Sequence, residues 1–270
     1  MNIILNKQIS SYWDNHSKRY RKAQWTGTLT SQFDYEQTKK KLLRNLRPKR
    51  KEKILEIGCG PGIWTQLIAK NCFELVAIDI SKKMIDNVKN YVKENNVKFI
   101  NCNFLDFEID ERFDKIFSVR VIEYIPNKIK LFKKISKLLV PNGELVIITK
   151  TKKSIWDYYK RLKVFLRFYN RNKFNEVRQY SWFENLSLKF LKSLIKQNNL
   201  SILNISPVII RLPIFKRGND EIPLITKKLE KKILKIFNYF SGKLSKMPIY
   251  FQLFIAESYL IHAKKKVLYR

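Results

Sequence analysis

Lys53-Ile-Leu-Glu-Ile-Gly-Cys-Gly-Pro-Gly-Ile-Trp-Thr65 decides how this chain folds. Lys53 to Glu56 has the apolar content of a buried strand, and it runs directly into Gly58, Gly60 and Gly62. An apolar pattern of helical period begins at Ile63. Strand, glycine turn and helix therefore follow without a gap. Glycine at alternate positions lets the backbone turn sharply and come close to a ligand, because no side chain holds that ligand away. The helix start behind the turn presents unpaired N–H groups.

A dinucleotide site needs the spacing G-x-G-x-x-G, and isoleucine at position 63 breaks it. Further along, Glu74 to Asp79 is a short apolar run closed by an acid about 20 residues past the first glycine. An aspartate at the end of a second parallel strand can accept both hydroxyls of a ribose. Ser81 supplies the N-cap of the next helix, whose apolar face carries Met84, Ile85, Val88 and Val92.

The remaining strands are expected at Val97 to Asn101, Phe113 to Val119, Glu144 to Thr149, Leu200 to Ile210 and Leu253 to Lys264. Helices are expected at Phe33 to Leu46, Leu131 to Leu139 and within Tyr180 to Asn199, with Pro141-Asn142-Gly143 turning the chain into the fifth strand. This alternation predicts an α/β fold: a doubly wound, mostly parallel sheet of seven strands with helical insertions in the C-terminal half.

The motifs resemble those of the class I S-adenosylmethionine-dependent methyltransferases, in the small-molecule and lipid branch. Their first motif is acidic-x-Gly-x-Gly-x-Gly, filled here by Glu56, Gly58, Gly60 and Gly62. The resemblance is close over residues 10 to 150 and loose over 180 to 264. It implies S-adenosyl-L-methionine as cofactor and the last strand inserted antiparallel between the fifth and sixth. Glu56, Gly58, Gly60 and Gly62 would hold the methionine part and Asp79 the ribose, with Cys59 and Val119 also cofactor-binding. Ile80 and Met84 would flank the adenine, with Asn103 and Phe104 at its edge. The family usually has Gly-Asp there, so an uncharged oxygen replaces a carboxylate, and Asp106 is the fallback. The N-terminal Tyr12-Trp13-Asp14 followed by Tyr20 resembles a segment that closes over the cofactor, which brings Tyr20 to the site.

After the fourth strand the family commonly ends in Glu-His, and this chain has Glu123 and Tyr124. These are the candidates for catalysis or acceptor contact, alongside a reading as a helix start and a core aromatic. The chain has two histidines, His16 and His262, so a histidine base would require His16 to fold in. Methyl transfer from a sulfonium is an in-line displacement in which positioning carries most of the rate, and a base is needed only for a protonated nucleophile.

Over 270 residues the net charge is +32, about +19 of it after residue 150. Such a balance suits polyanions, and it equally suits an AT-rich genome that loads proteins with lysine. Two basic amphipathic helices are expected. One sets Ile155, Tyr159, Leu162, Leu166 and Tyr169 on one face, with Trp156 nearby and Lys160, Lys163, Arg167 and Arg171 mostly elsewhere. The other, within 224–240, sets Ile225, Leu229, Ile233, Ile236 and Phe240 against Lys227, Lys228, Lys231 and Lys235. They are read as a lid, acceptor-binding region or core packing, as a contact for an anionic membrane surface, or as a contact for nucleic acid. Residues 1–50 form a helical cap, 51–150 the cofactor half, and 151–180 and 211–248 the insertions of a single domain.

No apolar run reaches 18 residues, and the N-terminal segment lacks signal-peptide form, which points to the cytoplasm or the inner membrane face. Cys59, Cys72 and Cys102 have neither disulfide nor zinc spacing, so no metal is expected. The acceptor is expected to be a small or lipid-like molecule. The alternatives are RNA methylation on the basic surface and a non-catalytic cofactor-binding partner subunit. Against RNA, the N/D-P-P-Y/F motif of base amino methylation and the paired cysteines of cytosine attack are absent.

Overall fold

A computed structural model describes residues 3–150, 152, 154, 155, 158, 186–210, 227–244 and 246–267. The seven strands are β1 (Lys53–Ile57), β2 (Glu74–Asp79), β3 (Val97–Asn101), β4 (Phe113–Val119), β5 (Leu139–Lys150), β6 (Leu200–Ile210) and β7 (Ala256–Lys265). They form one sheet in the order β3-β2-β1-β4-β5-β7-β6. β1 to β5 pair in parallel, whereas β7 lies antiparallel between β5 and β6.

The α-helices with described bounds are α1 (Ile3–Arg21), α2 (Leu29–Leu46), α3 (Thr65–Ala69), α4 (Lys82–Tyr91), α5 (Lys128–Leu138), α6 (Leu188–Gln197), α7 (Lys227–Leu244) and α8 (Ile249–Ile255), with a π-helical stretch at Lys22–Thr26 and a 3-10 turn at Ile122–Tyr124. Alternation along the strands divides the core. Leu145, Ile147, Tyr259 and Ile261 pack with α5 and α6 on one face. Val146, Ile148 and Leu260 pack with α2 and α3 on the other. The central strands are buried on both sides, which is why they read as continuous apolar runs.

Some boundaries and one helix face differ from the sequence reading: α2 starts at Leu29 and α5 at Lys128, each a turn early. β5 begins at Leu139, ahead of Pro141-Asn142-Gly143, because a register shift against Phe113 and Lys115 absorbs the turn residues into the strand. Asn142 takes φ 63° there. Leu253 belongs to α8, and the last strand starts at Ala256. α7 buries Glu230 and Leu234 rather than the row through Leu229 and Ile236. The reason is polar: Glu230 Oε1 accepts from Thr30 Oγ1 at 2.6 Å and from Thr30 N at 3.1 Å, which fixes the helix rotation. Most of the expected helix at 155–169 and the segment 211–226 lie outside the described residues.

Candidate active site

A cleft of about 860 Å³, its open mouth included, lies at the C-terminal ends of β1, β2 and β4. This is where the strand order reverses, so the turns leaving β1 and β4 run to opposite faces and part.

The turn after β1 forms one wall. Gly60 has φ +53°, and a Cβ there would meet nothing nearer than Tyr20 at 4.0 Å, so this residue exposes bare backbone to the cleft. Gly58 and Cys59 also line it. Gly62 does not: a Cβ at that position would stand 2.2 Å from Val88 Cγ2. Its absence of a side chain lets α4 pack against the turn. Glu56 also lies off the cleft, at 1% exposure, where its Oε2 accepts from Thr65 Oγ1 at 2.6 Å. Burial pushes its carboxyl up to about 8, against the Thr65 hydrogen bond.

Asp79 closes the other side of that wall. Its Oδ2 accepts from Gly60 N at 2.8 Å and its Oδ1 from Ser81 N at 2.9 Å. Burial raises its carboxyl to about 6, with these two N–H groups pulling the other way. Ser81 caps α4 by accepting from Met84 N at 3.1 Å. Ile80, Met84, Asn103 and Phe104 line the next part of the cleft, together with Cys102. Asn103 Oδ1 accepts from Leu105 N at 3.1 Å and its Nδ2 donates to Asp106 at 3.0 Å, so one lone pair of that oxygen stays available. Asp106 is exposed and does not reach the cleft.

α1 roofs the site. Tyr20 lines the cleft beside Trp13, Ile9 and Asn6. Trp13 stands edge-on to Tyr20 at 5.5 Å and to Tyr124 at 5.0 Å. Asp14 anchors the helix, accepting from Ser81 Oγ at 2.5 Å and Lys83 N at 3.1 Å. Ser10 adds a bond from its Oγ to Ile80 O at 3.0 Å. Trp25 and Trp64 meet edge-on at 4.9 Å along the same wall. Sequence reading missed Ile9, Asn6 and both of these tryptophans as lining residues. Only the helical spacing from Asn6 through Ile9 and Trp13 to Tyr20 could have signalled part of it.

At the end of β4, Val119, Arg120 and Tyr124 line the cleft. Burial pushes the Tyr124 hydroxyl far above its ordinary range. Glu123 turns away: it is fully buried, and its Oε1 accepts from Lys150 N at 2.8 Å. His16 is exposed, hydrogen-bonded at 2.7 Å to Tyr12 O, and lies off the cleft. His262 pairs with Glu144 at 2.8 Å near the start of β5, at the opposite end of the sheet. Among the described residues no histidine lines the cleft and no metal-binding cluster occurs.

A family model described as a methyltransferase domain matches residues 30–205. The ubiquinone biosynthesis O-methyltransferase of Rickettsia akari is 33% identical over 108 residues, covering 38% of this chain and 43% of that protein. Its counterpart from Coxiella burnetii is 30% identical over 100 residues, covering 36% and 42%. The matches thus span less than half the length of these relatives. Among solved structures, the magnesium protoporphyrin IX methyltransferase of Synechocystis with bound SAH superposes with a TM-score of 0.64 at 12% identity, covering 97% of this chain and 100% of that one. That likeness concerns the fold.

Proposed function

The chain belongs to the methyltransferase-domain family, and from that membership we propose that it transfers the methyl group of S-adenosylmethionine to a small-molecule or lipid-like acceptor. The observation that carries this reading is the pairing of bare Gly60 backbone with the Asp79 carboxylate across one wall of the cleft. Bound there, the cofactor supplies an electrophilic methyl group on a sulfonium. Asp79 accepts from the ribose hydroxyls, using lone pairs left free by Gly60 N and Ser81 N. Gly58, Cys59, Gly60 and Val119 shape the methionine end. Ile80, Met84 and Phe104 sandwich the adenine, and Asn103 accepts from its amino group. Tyr20 and Trp13 cover the site and exclude water. Tyr124 meets the acceptor, and because its hydroxyl stays protonated it acts as a hydrogen-bond donor that positions rather than as a base.

Glu56 and Gly62 support this wall from behind, and Glu123 braces β5 from below. Residues 1–50 act as the cap, 51–150 as the cofactor half, and the segments 151–180 and 211–248 as the surroundings of the acceptor.

The surface of α7 and α8 favours a lipid-like acceptor met at an anionic membrane face. Leu229, Ile236, Tyr239, Tyr250, Phe251 and Phe254 are exposed, Tyr250 at 75%, among Lys228, Lys231, Lys232 and Lys235. Exposed apolar side chains set among lysines are the pattern of an interfacial helix. No helix of the described residues is long and apolar enough to cross a membrane.

Two experiments test these readings. Cell extract incubated with methyl-labelled cofactor should yield label in lipid or small molecules, and label confined to RNA or protein would overturn the acceptor class. Flotation should recover the protein with vesicles of 30% anionic lipid, recovery falling about tenfold for L229S/I236S. Equal recovery with neutral vesicles would sink the membrane reading.

A further inference from the structure

One cation, Arg120, is among the residues that line the cleft. Arg120 follows β4 with φ +63°, a left-handed conformation that strains a residue carrying a Cβ. Its backbone is held there by a bond from its N–H to Ile148 O at 2.8 Å. Arg120 is one of the residues that line the cleft, and it is 8% exposed. Nη2 donates to Glu257 Oε1 at 3.2 Å, long for a charged pair, and Nη1 is buried with no hydrogen-bond partner among the described residues. A buried guanidinium nitrogen left without an acceptor is costly, and a strained backbone that keeps it there needs a compensating ligand.

From this geometry we infer that Arg120 binds an oxyanion of the acceptor, a carboxylate in the simplest case, through its unpaired Nη1. The inference rests on the methyltransferase reading and adds the acceptor's charge. Direction separates this anion from the cofactor's own carboxylate. Asp79 and the glycine turn lie on the β1–β2 side of β4, whereas Glu257 stands on β7, beyond β5 on the other side. The guanidinium is therefore drawn toward the β5–β7 side of the cleft, away from the cofactor half. There it complements a planar anion while the Glu257 carboxylate keeps the fork oriented. A neutral acceptor would leave Nη1 unpaired, so the site discriminates by a missing hydrogen bond, a strong form of selectivity.

The test uses the full chain saturated with S-adenosylhomocysteine, with benzoate and benzamide as probes of the same shape, titrated by calorimetry. Benzoate should bind about tenfold or more tightly than benzamide, the weight of one charge-assisted hydrogen bond. Arg120→Met should erase the preference while S-adenosylhomocysteine affinity stays within about threefold, and Arg120→Lys should keep part of it. Equal binding of the two probes by the wild type, or a preference that survives Arg120→Met, overturns the inference. So does a loss of S-adenosylhomocysteine affinity in Arg120→Met that matches the loss of benzoate, which would give the arginine to the cofactor. Should Arg120→Met fail to fold, Glu257→Gln serves instead: it removes the competing carboxylate and should tighten benzoate about threefold while leaving benzamide unchanged, and an unchanged benzoate affinity refutes the inference. Failure of the wild type to bind S-adenosylhomocysteine is a separate result that overturns the methyltransferase reading itself.

Discussion

Gly60 N donates to Asp79 Oδ2 at 2.8 Å, so the first glycine turn is closed onto the end of the second strand before any ligand arrives. Burial holds the Asp79 carboxyl up at about 6. If the ionised form receives the ribose, cofactor affinity should rise with pH to about 6 and then level off. Asp79→Asn should weaken S-adenosylhomocysteine binding about 100-fold at pH 7.5, through two lost charged hydrogen bonds, and should flatten the profile. Calorimetry across pH 5 to 8 reads both effects, and a profile unchanged by the substitution would count against the assignment.

Glu56 lies behind the wall, and its effect should be on stability. Its folded value of about 8 stands above the ordinary 4.5, so the native state holds a proton that the unfolded chain has lost between those values. Stability therefore falls as pH rises through this window, by up to about 1.4 kcal/mol per unit. Asp79 acts with the same sign between 3.8 and about 6, so the Glu56 share is isolated above pH 6. Urea denaturation of Glu56→Gln at pH 6.5 and 8 should show a shallower decline than wild type.

Two glycines of the same motif should separate by phenotype. Gly62→Ala drives a methyl group into Val88 and should destabilise the fold by about 1–3 kcal/mol, with Val88→Ala in the same chain restoring part of it. Gly60→Ala meets open space and costs only the left-handed backbone, about 1–2 kcal/mol. Its main effect should be on cofactor affinity. Parallel melting and S-adenosylhomocysteine titration distinguish the two, and the same pattern in both variants would contradict the division.

Asp14 holds the roof through Ser81 and Lys83. Asp14→Ala removes a cap-like pair of bonds worth about 1 kcal/mol, small against global stability but sufficient to loosen α1. Limited proteolysis should cut faster within residues 3–26 while the melting temperature moves by only a few degrees. Added S-adenosylhomocysteine should slow the cleavage, since Trp13 and Tyr20 line the cleft.

The sheet was legible because its central strands are buried on both faces and announce themselves as apolar runs; β2, β3, β4 and β6 fall where the pattern placed them. The glycine turn and Asp79 were legible because a short stretch of chain carries their geometry. Glu56 and Gly62 matched the motif equally well, yet one lies behind the wall and the other packs on Val88. A spacing rule cannot tell a residue that faces a ligand from one that supports its neighbour. The rotation of α7 depends on Glu230 meeting Thr30, 200 residues away, and Arg120 acquires its meaning only from Glu257, 137 residues on. Partners that distant leave no local periodicity to read.

The position of β7 bears on how the molecule is made. Residues 256–265 leave the ribosome after every other strand, yet they occupy an inner place in the sheet. Until they arrive, β6 has no strand to join and β5 presents an open edge. The half of the protein bearing Glu257 therefore assembles late, through contacts of long sequence separation that slow folding and expose a growing chain to aggregation. The β1–β4 half, which carries Gly60 and Asp79, can pair its own strands while synthesis continues. A nascent chain would thus acquire the Gly60–Asp79 wall before it acquires the carboxylate that orients Arg120.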